Sequence, residues 1–294
     1  MIYILENNQL KVKVSSMGAE LQSIRRKEPD TEYLWQGDPA FWSRRATNQF
    51  PICGRLVDGK YLCDGTVYRM DCHGFAQDRE WTVVHQKATV LTLHLQWNED
   101  TLAMYPFRFA MEITYTLNEA ALSVTTIVRN LDDKTLPFAI GGHPGFQVPL
   151  GGEGTFEDYY VEFDAPCHPR LLGLDDAVLA TGEWIPYPLE EDVRLWLQHS
   201  LFDRDALFFA DAAPGLTLRS REGTRWVHVS YPDMKYVGLW HTTGSRQAPF
   251  LCVEPITGSP SRAEAGIVPL EEKPDIILLT PENVYRNTYT MTFG

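Results

Sequence analysis

The 294-residue chain is 44% hydrophobic and 22% charged, a balance that is typical of a folded globular protein and excludes a disordered one. Its 26 basic and 39 acidic residues give a formal net charge of -13, which would repel phosphate backbones and anionic lipids. No apolar run reaches the roughly 18 residues of a membrane-spanning helix. Neither nucleic acid nor a membrane is therefore an expected partner.

Strict alternation of apolar and polar residues, which indicates half-buried strands, recurs along the chain. The strands predicted in this way lie at residues 91–97, 107–117, 122–128, 227–231 and 285–293. The second and third are separated by a short turn that contains Asn118 and Glu119, so they predict a β-hairpin.

Helical periodicity is scarce, with a turn or two expected at residues 100–105 and 193–202. Strand–helix–strand units are therefore disfavoured, and an all-β class follows. The loop-rich stretch 149–155 is too short to separate domains, and all-β folds often reach this length around one core. We expect a single domain spanning residues 1–294.

The five cysteines are odd in number and lack C-x-x-C spacing, so they predict neither a disulfide framework nor a zinc ribbon. The first residues lack the basic and apolar segments of a secretion signal. A cytoplasmic protein is expected. Phosphate-binding, serine-hydrolase and zincin motifs are missing from the sequence, and we expect no metal or organic cofactor.

Four segments embed polar side chains among glycine and apolar residues, the setting in which an all-β protein most often places a ligand site. They are FPICGR (50–55), HGFAQD (73–78), GGHPGF (141–146) and FLCVEPITG (250–258). His143 lies between glycine and proline in the third segment, and His73 opens the second. Each histidine is either an acid–base group or a residue bonded to a nearby carbonyl in a tight turn.

Glu254 follows an apolar run, so it is expected at a partly buried strand end. Burial would raise its pKa toward that of a useful general base, although a salt bridge to Arg55 is the plainer alternative. Asp205 is likewise a carboxylate against an apolar run, and is either a ligand group or a turn or helix-cap aspartate.

Taken in order, these segments resemble the galactose mutarotase (aldose 1-epimerase) superfamily, especially its compact bacterial branch. The resemblance covers nearly the whole chain and extends to MGAELQSI (17–24), DALFF (205–209) and LEEKPDIILLTPEN (270–283). It implies a large antiparallel β-sandwich of the supersandwich kind, in agreement with the alternation. The chain departs from the family pattern at Pro255 and at Gln77, where the compact branch often has arginine.

The resemblance also implies roles at a sugar site. Glu254 matches the general base and His143 the general acid of a mutarotase, which opens and closes the ring of a free aldose. The implied ligands of the sugar hydroxyls are Arg55, His73 and Asp205, and Trp240 is a candidate for packing against the apolar face of the sugar. The acidic chain favours unphosphorylated sugars.

Two other functions stay open. A catalytically silent carbohydrate-binding or sensing protein would need only the hydroxyl ligands and an aromatic platform. A glycoside hydrolase would use Glu254 and Asp205 as its carboxylate pair and give His143 no role as acid. The sequence does not determine the sugar, the oligomeric state or the pathway.

Overall fold

A computed structural model describes residues 1–244 and 247–294. In chain order, strands β1 to β24 are Ile2–Glu6, Leu10–Ser15, Leu21–Arg26, Thr31–Glu32, Ala46–Gln49, Lys60–Cys63, Thr66–Arg69, Thr82–Lys87, Val90–Gln96, Phe109–Asn118, Ala121–Asn130, Leu136–Phe138, Gly141–Gln147, Tyr159–Phe163, Arg170–Leu174, Ala180–Pro186, Arg194–Trp196, Leu207–Ala210, Gly215–Ser220, Trp226–Ser230, Tyr236–Trp240, Phe250–Ile256, Ile277–Leu279 and Val284–Phe293.

The helical segments of the described chain are short. One α-helical turn, α1, spans Glu99–Leu102, and 3-10 turns lie at Val57–Gly59, Ala76–Asp78, Leu150–Gly152, Phe156–Asp158, His199–Phe202, Ala263–Ala265 and Leu270–Glu272. None of the helices in the described residues is long and apolar enough to cross a membrane.

Two large antiparallel sheets dominate the fold, and the all-β prediction is confirmed. The nine-stranded sheet has the order β17-β14-β19-β20-β24-β11-β10-β9-β8, and the seven-stranded sheet has the order β16-β15-β18-β21-β22-β13-β5. A four-stranded sheet, β1-β2-β3-β4, and the two-stranded pairs β6-β7 and β12-β23 complete the arrangement.

The predicted hairpin is formed by β10 and β11, which pair from Phe109↔Asn130 to Asn118↔Ala121. Alternate residues of both strands are buried, as the sequence pattern requires. The strands predicted at residues 91–97, 227–231 and 285–293 are present as β9, β20 and β24.

The helical turn expected at residues 193–202 is only half right. Its first part is β17, an edge strand that pairs with β14 and buries Leu195, whereas its second part is the 3-10 turn His199–Phe202. The apolar residues Leu195 and Leu197 also fit alternation, and pairing with β14 decides the outcome. The turn expected at residues 100–105 is α1, capped by Asn98, whose side chain accepts a 2.9 Å hydrogen bond from the backbone of Thr101.

The two large sheets pack face to face around the main core. Phe146 of β13 lies 6.5 Å from Phe293 of β24 between ring centroids, and Phe209 of β18 lies 6.4 Å from Phe163 of β14. Strand alternation therefore places the neighbouring residues of β13 and β18 on the opposite, outer face of the seven-stranded sheet.

That outer face carries two smaller apolar clusters. One contains Phe208 and Ile256, and the other contains Trp35 and Phe250. Polar side chains of the central strands lie between the two clusters, so the outer face of the seven-stranded sheet is where a site can open to solvent.

Candidate functional site

A cleft of about 300 Å³ opens on the outer face of the seven-stranded sheet. All six site residues that were named from the sequence line it, namely Arg55, His73, His143, Asp205, Trp240 and Glu254. The structure therefore brings together side chains from segments that are far apart in sequence.

Strand pairing fixes the floor of the cleft. β13 lies between β5 and β22, with His143 opposite Thr47 and Gly141 opposite both Gln49 and Ile256. Alternation directs His143 and Glu254 to the same outer face. Glu254 lies within β22 rather than at a loose strand end, with only 2% of its surface exposed.

His143 and Glu254 are in direct contact. Nε2 of His143 lies 3.2 Å from Oε1 of Glu254, and the other carboxylate oxygen, Oε2, accepts a 3.1 Å hydrogen bond from Nε2 of Gln49. Within residues 1–244 and 247–294, no ion pair joins Glu254 to Arg55, so the salt-bridge alternative is not what the structure contains. His143 lies in a strand rather than in a tight turn.

His73 is held at the cleft wall by the neighbouring loop. Its Nδ1 accepts a 3.1 Å hydrogen bond from the backbone of Gly54, and its own backbone N–H donates to the Gly54 carbonyl at 3.0 Å. Because Nδ1 is an acceptor, the proton of the neutral ring is on Nε2. His73 therefore offers a fixed donor, and its ring centroid lies 5.4 Å from that of His143.

Asp205 is both a turn residue and a cleft residue. It has a positive φ of 84°, its N–H donates to the Phe202 carbonyl at 3.1 Å, and its Oδ1 accepts from the N–H of Ala206 at 2.9 Å. The turn thus holds the carboxylate at the cleft, where one oxygen accepts this local bond.

Arg55, on the cleft wall, forms no ion pair with any residue of the described chain.

The sequence reasoning missed several lining residues. Trp42 packs on His143 with ring centroids 4.9 Å apart, and Trp240 lies edge-on to both rings at 5.6 Å. Two tryptophans, Trp42 and Trp240, therefore lie beside His143 in the cleft. The sequence feature that could have pointed to Trp42 is the stretch 41–45, which is rich in aromatic and arginine residues and follows no turn or strand pattern.

The guanidinium group of Arg44 lies beside Gln77, the position at which the resemblance implies an arginine. Gln77 and Arg44 both line the cleft, and the backbone carbonyl of Gln77 accepts a 3.3 Å hydrogen bond from the Arg44 side chain. Arg44 is also paired with Asp78. A positive charge is thus present near residue 77 but comes from another segment.

Burial sets the electrostatics of the His143–Glu254 pair. Burial raises the pKa of Glu254 to about 8, the Gln49 hydrogen bond opposes that rise, and the charge of Asp205 adds to it. Burial also lowers the pKa of His143 well below its usual value, and His73 adds to this effect. Since both shifts favour the neutral forms, the pair carries one proton between them at neutral pH.

The pKa values of His73 and Asp205 are also shifted toward the neutral forms. Burial lowers the pKa of His73 to about 4, with the charge of Arg55 contributing, so the ring is neutral. Burial also raises the pKa of Asp205, although Ala206 and Arg55 oppose the rise. The cleft therefore combines the neutral imidazole of His73 with the guanidinium groups of Arg44 and Arg55.

Metal-ligating atoms of His73, His143 and Glu254 lie within 4.8 Å of one another. Two imidazoles and a carboxylate are a familiar ligand set for a transition metal. However, Gly54 occupies the Nδ1 lone pair of His73, which leaves a proton on Nε2 where a metal would bind. With these hydrogen bonds, His73, His143 and Glu254 can instead donate protons to a small polar ligand and accept protons from it.

Comparison with known proteins places this geometry in context. The sequence profile described as aldose 1-epimerase matches residues 1–266. The plasmid-encoded protein LacX of Lactococcus lactis subsp. lactis is 32% identical over 302 residues, which cover 98% of each chain.

Two solved structures share the fold closely. A galactose mutarotase related enzyme from Lactobacillus acidophilus is 31% identical with a TM-score of 0.94, covering 100% of this chain and 97% of that one. A galactose mutarotase-like protein from Lactobacillus casei is 30% identical with a TM-score of 0.93 and full coverage of both chains, 100% each. The β-sandwich expected from the sequence is thus confirmed.

Proposed function

Because the chain belongs to the aldose 1-epimerase family, we propose that it interconverts the α and β anomers of a free aldose. The observation that carries the proposal is the 3.2 Å contact between His143 and Glu254 at the floor of the cleft. Anomer exchange needs one group to remove a proton and another to supply one, and this pair provides both.

The reaction proceeds by opening the sugar ring. Glu254 takes the proton of the anomeric hydroxyl, the anomeric carbon becomes an aldehyde as its bond to the ring oxygen breaks, and His143 gives a proton to that oxygen. Rotation about the bond between the first two carbons presents the other face of the aldehyde. Reversal of both proton transfers then closes the opposite anomer.

Burial favours the neutral forms of both groups, so the resting pair holds its proton mainly on Glu254. Ring opening starts from the minor arrangement, in which the proton is on His143 and the carboxylate is ionised. After opening, the proton is on Glu254 and both groups are neutral, which is the state that burial favours. Each positioned proton transfer typically contributes about 10²–10⁴-fold, so the pair accounts for useful acceleration.

In this proposal the remaining cleft residues bind the sugar. Arg55, His73 and Asp205 contact hydroxyl groups, and Trp42 and Trp240 pack against the apolar ring face. The reaction uses no metal or organic cofactor. A silent binding protein would need these same ligands but would have no use for a buried histidine in contact with a buried carboxyl group.

The test is a screen of free aldoses by exchange NMR, which reads the rate at which each anomer converts into the other. We expect at least one aldose to exchange far faster with the wild-type protein than without it. Binding of a sugar without any added exchange would replace the proposal with the silent carbohydrate-binding function. Release of a sugar from a glycoside would instead identify a hydrolase.

A further inference from the structure

Gln49 is a buried residue in contact with Glu254 that does not line the cleft. It is the last residue of β5, it is 1% exposed, and Glu254 is the only residue of the described chain that its side-chain amide contacts by hydrogen bond. The amide oxygen, Oε1, is buried without a hydrogen-bond partner in the same residues. A buried amide with half of its capacity unmet is costly, which calls for a function.

The path from Gln49 to Glu254 crosses a strand. β13 lies between β5 and β22, and Gly141 of β13 is the residue opposite Gln49. A Cβ atom at Gly141 would come within 3.2 Å of Oε1 of Gln49 and 2.5 Å of Ile256. The bare glycine backbone therefore lets the glutamine side chain pass over β13 to the carboxylate.

We infer that Gln49 is a positioning residue that raises the share of the His143–Glu254 pair in which the single proton is on His143. This inference rests on the proposed function, in which Glu254 must be ionised to accept the anomeric proton. The amide N–H of Gln49 donates to the Glu254 carboxyl group at 3.1 Å, and such a bond is stronger to an ionised carboxylate than to a neutral carboxyl group. The contact thus stabilises ionised Glu254 against the burial that favours the neutral forms of both groups.

The charge environment supports this reading. Burial and the charge of Asp205 both raise the pKa of Glu254, whereas the Gln49 hydrogen bond lowers it. Without Gln49, the carboxyl group would keep the proton more tightly. The arrangement ready for ring opening would then be less populated, while the walls that hold the sugar would be unchanged.

The first measurement needs no turnover. Protein labelled with ¹³C at the glutamate carboxyl carbon is titrated with acid and base, and the Glu254 signal is identified by its loss in Glu254→Gln. In Gln49→Met, which keeps the shape but cannot donate, we expect the Glu254 midpoint to rise by about one pH unit, a tenfold loss of ionised fraction. Gln147→Leu is the matched control, because Gln147 lies at the end of β13, away from Glu254, and its side chain donates to the Leu34 carbonyl at 3.2 Å.

The second measurement determines kcat and KM separately. At neutral pH we expect kcat of Gln49→Met to fall about tenfold with KM nearly unchanged, because Gln49 is outside the cleft lining. If Gln49→Met does not fold, Gln49→Leu removes the donor with a smaller side chain, and the Glu254 midpoint should rise by a similar amount. An unchanged Glu254 midpoint in either folded variant overturns the inference. A raised midpoint in a protein whose wild type exchanges no anomers would uphold the role of Gln49 and reject the proposed function.

Discussion

Nδ1 of His199 and Nε2 of His241 share a 3.0 Å hydrogen bond. Nδ1 of His241 contacts the Thr242 carbonyl at 2.7 Å, so it is the donor there, and Nε2 accepts a hydrogen bond from Nδ1–H of His199. Protonation of His241 turns Nε2 into a donor, so the bond can persist only if His199 moves its own proton to Nε2. Burial and the charge of His199 lower the pKa of His241 to about 4, although the Thr242 carbonyl and the charge of Asp203 oppose the shift.

This pair predicts acid-dependent stability. The unfolded chain takes up a proton at His241 near its usual pKa of 6.5, whereas the folded chain resists until about 4. The stabilisation is therefore complete above 6.5 and is lost as the pH falls toward 4, by roughly 3 kcal/mol at about 1.4 kcal/mol per pKa unit. Urea unfolding across this range should show a shallower pH dependence for His241→Gln than for wild type. The exposed His85→Gln serves as control, and equal slopes for all three proteins would refute the assignment.

Glu254→Gln should abolish most turnover while the sugar still binds. The amide retains the size of the side chain but accepts no proton at neutral pH, so anomer exchange should fall by about 10²–10⁴-fold with a much smaller change in affinity. Exchange NMR and calorimetric titration measure the two quantities. Glu162→Gln, which removes a carboxylate paired with Arg194 at 3.0 Å on the other large sheet, should retain activity. Wild-type exchange in folded Glu254→Gln would rule out the mechanism.

The rate should show a bell-shaped dependence on pH. The His143–Glu254 pair is active with one proton, so the rate falls on the alkaline side as that proton is lost near the Glu254 pKa of about 8. On the acid side it falls only when a second proton is added, well below the usual histidine pKa, because His143 is shifted downward. A profile of kcat/KM against pH measures both limbs. A rate that kept rising well above pH 8 would contradict the one-proton state.

Val178→Gly should stabilise the protein. Val178 lines the cleft with a φ of 60°, a conformation that is strained for a β-branched side chain. Asp175 holds the turn, since its Oδ1 accepts 2.9 Å hydrogen bonds from the N–H groups of Ala177 and Leu179. Relief of the strain stabilises the folded protein, whereas the extra freedom of glycine in the unfolded chain opposes this gain. The net effect should raise the unfolding free energy by about 1 kcal/mol.

The control for that variant is Val67→Gly. Val67 is an exposed valine within the strand β7, where glycine should destabilise instead. Chemical denaturation measures both proteins. A loss of stability at position 178 equal to that at position 67 would show that the turn is not strained.

Chelation should leave activity intact. The proton on Nε2 of His73, which follows from the Gly54 hydrogen bond, works against metal binding by the cluster of His73, His143 and Glu254. We expect full anomer exchange after dialysis against a strong chelator. Loss of exchange that a divalent ion restores would require a different mechanism.

The sequence predicted those parts of the fold that local patterns encode. The β10–β11 hairpin followed from alternation alone. Polar residues among glycine and apolar residues pointed to His73, His143, Asp205 and Glu254, and the resemblance supplied their implied roles and added Trp240. Gln49 was missed because its role depends on β5 lying beside β13, a pairing between segments about ninety residues apart that no local pattern reports. All four residues of β5 are buried and three of them are polar, which is unusual enough to mark a functional strand. A short polar run in the sequence does not reveal that its residues are buried.

The order of strands in the nine-stranded sheet also governs how the chain can fold. β24 lies in its interior, between β20 and β11, although it is the last strand in sequence. During synthesis, the edge of β11 that β24 will cover stays unpaired until residue 293 has left the ribosome. Such an edge invites pairing with other chains, and pairings between distant segments form slowly. Truncation before β24 should therefore yield aggregates rather than a smaller working protein, and efficient production should benefit from slow growth or chaperone supply.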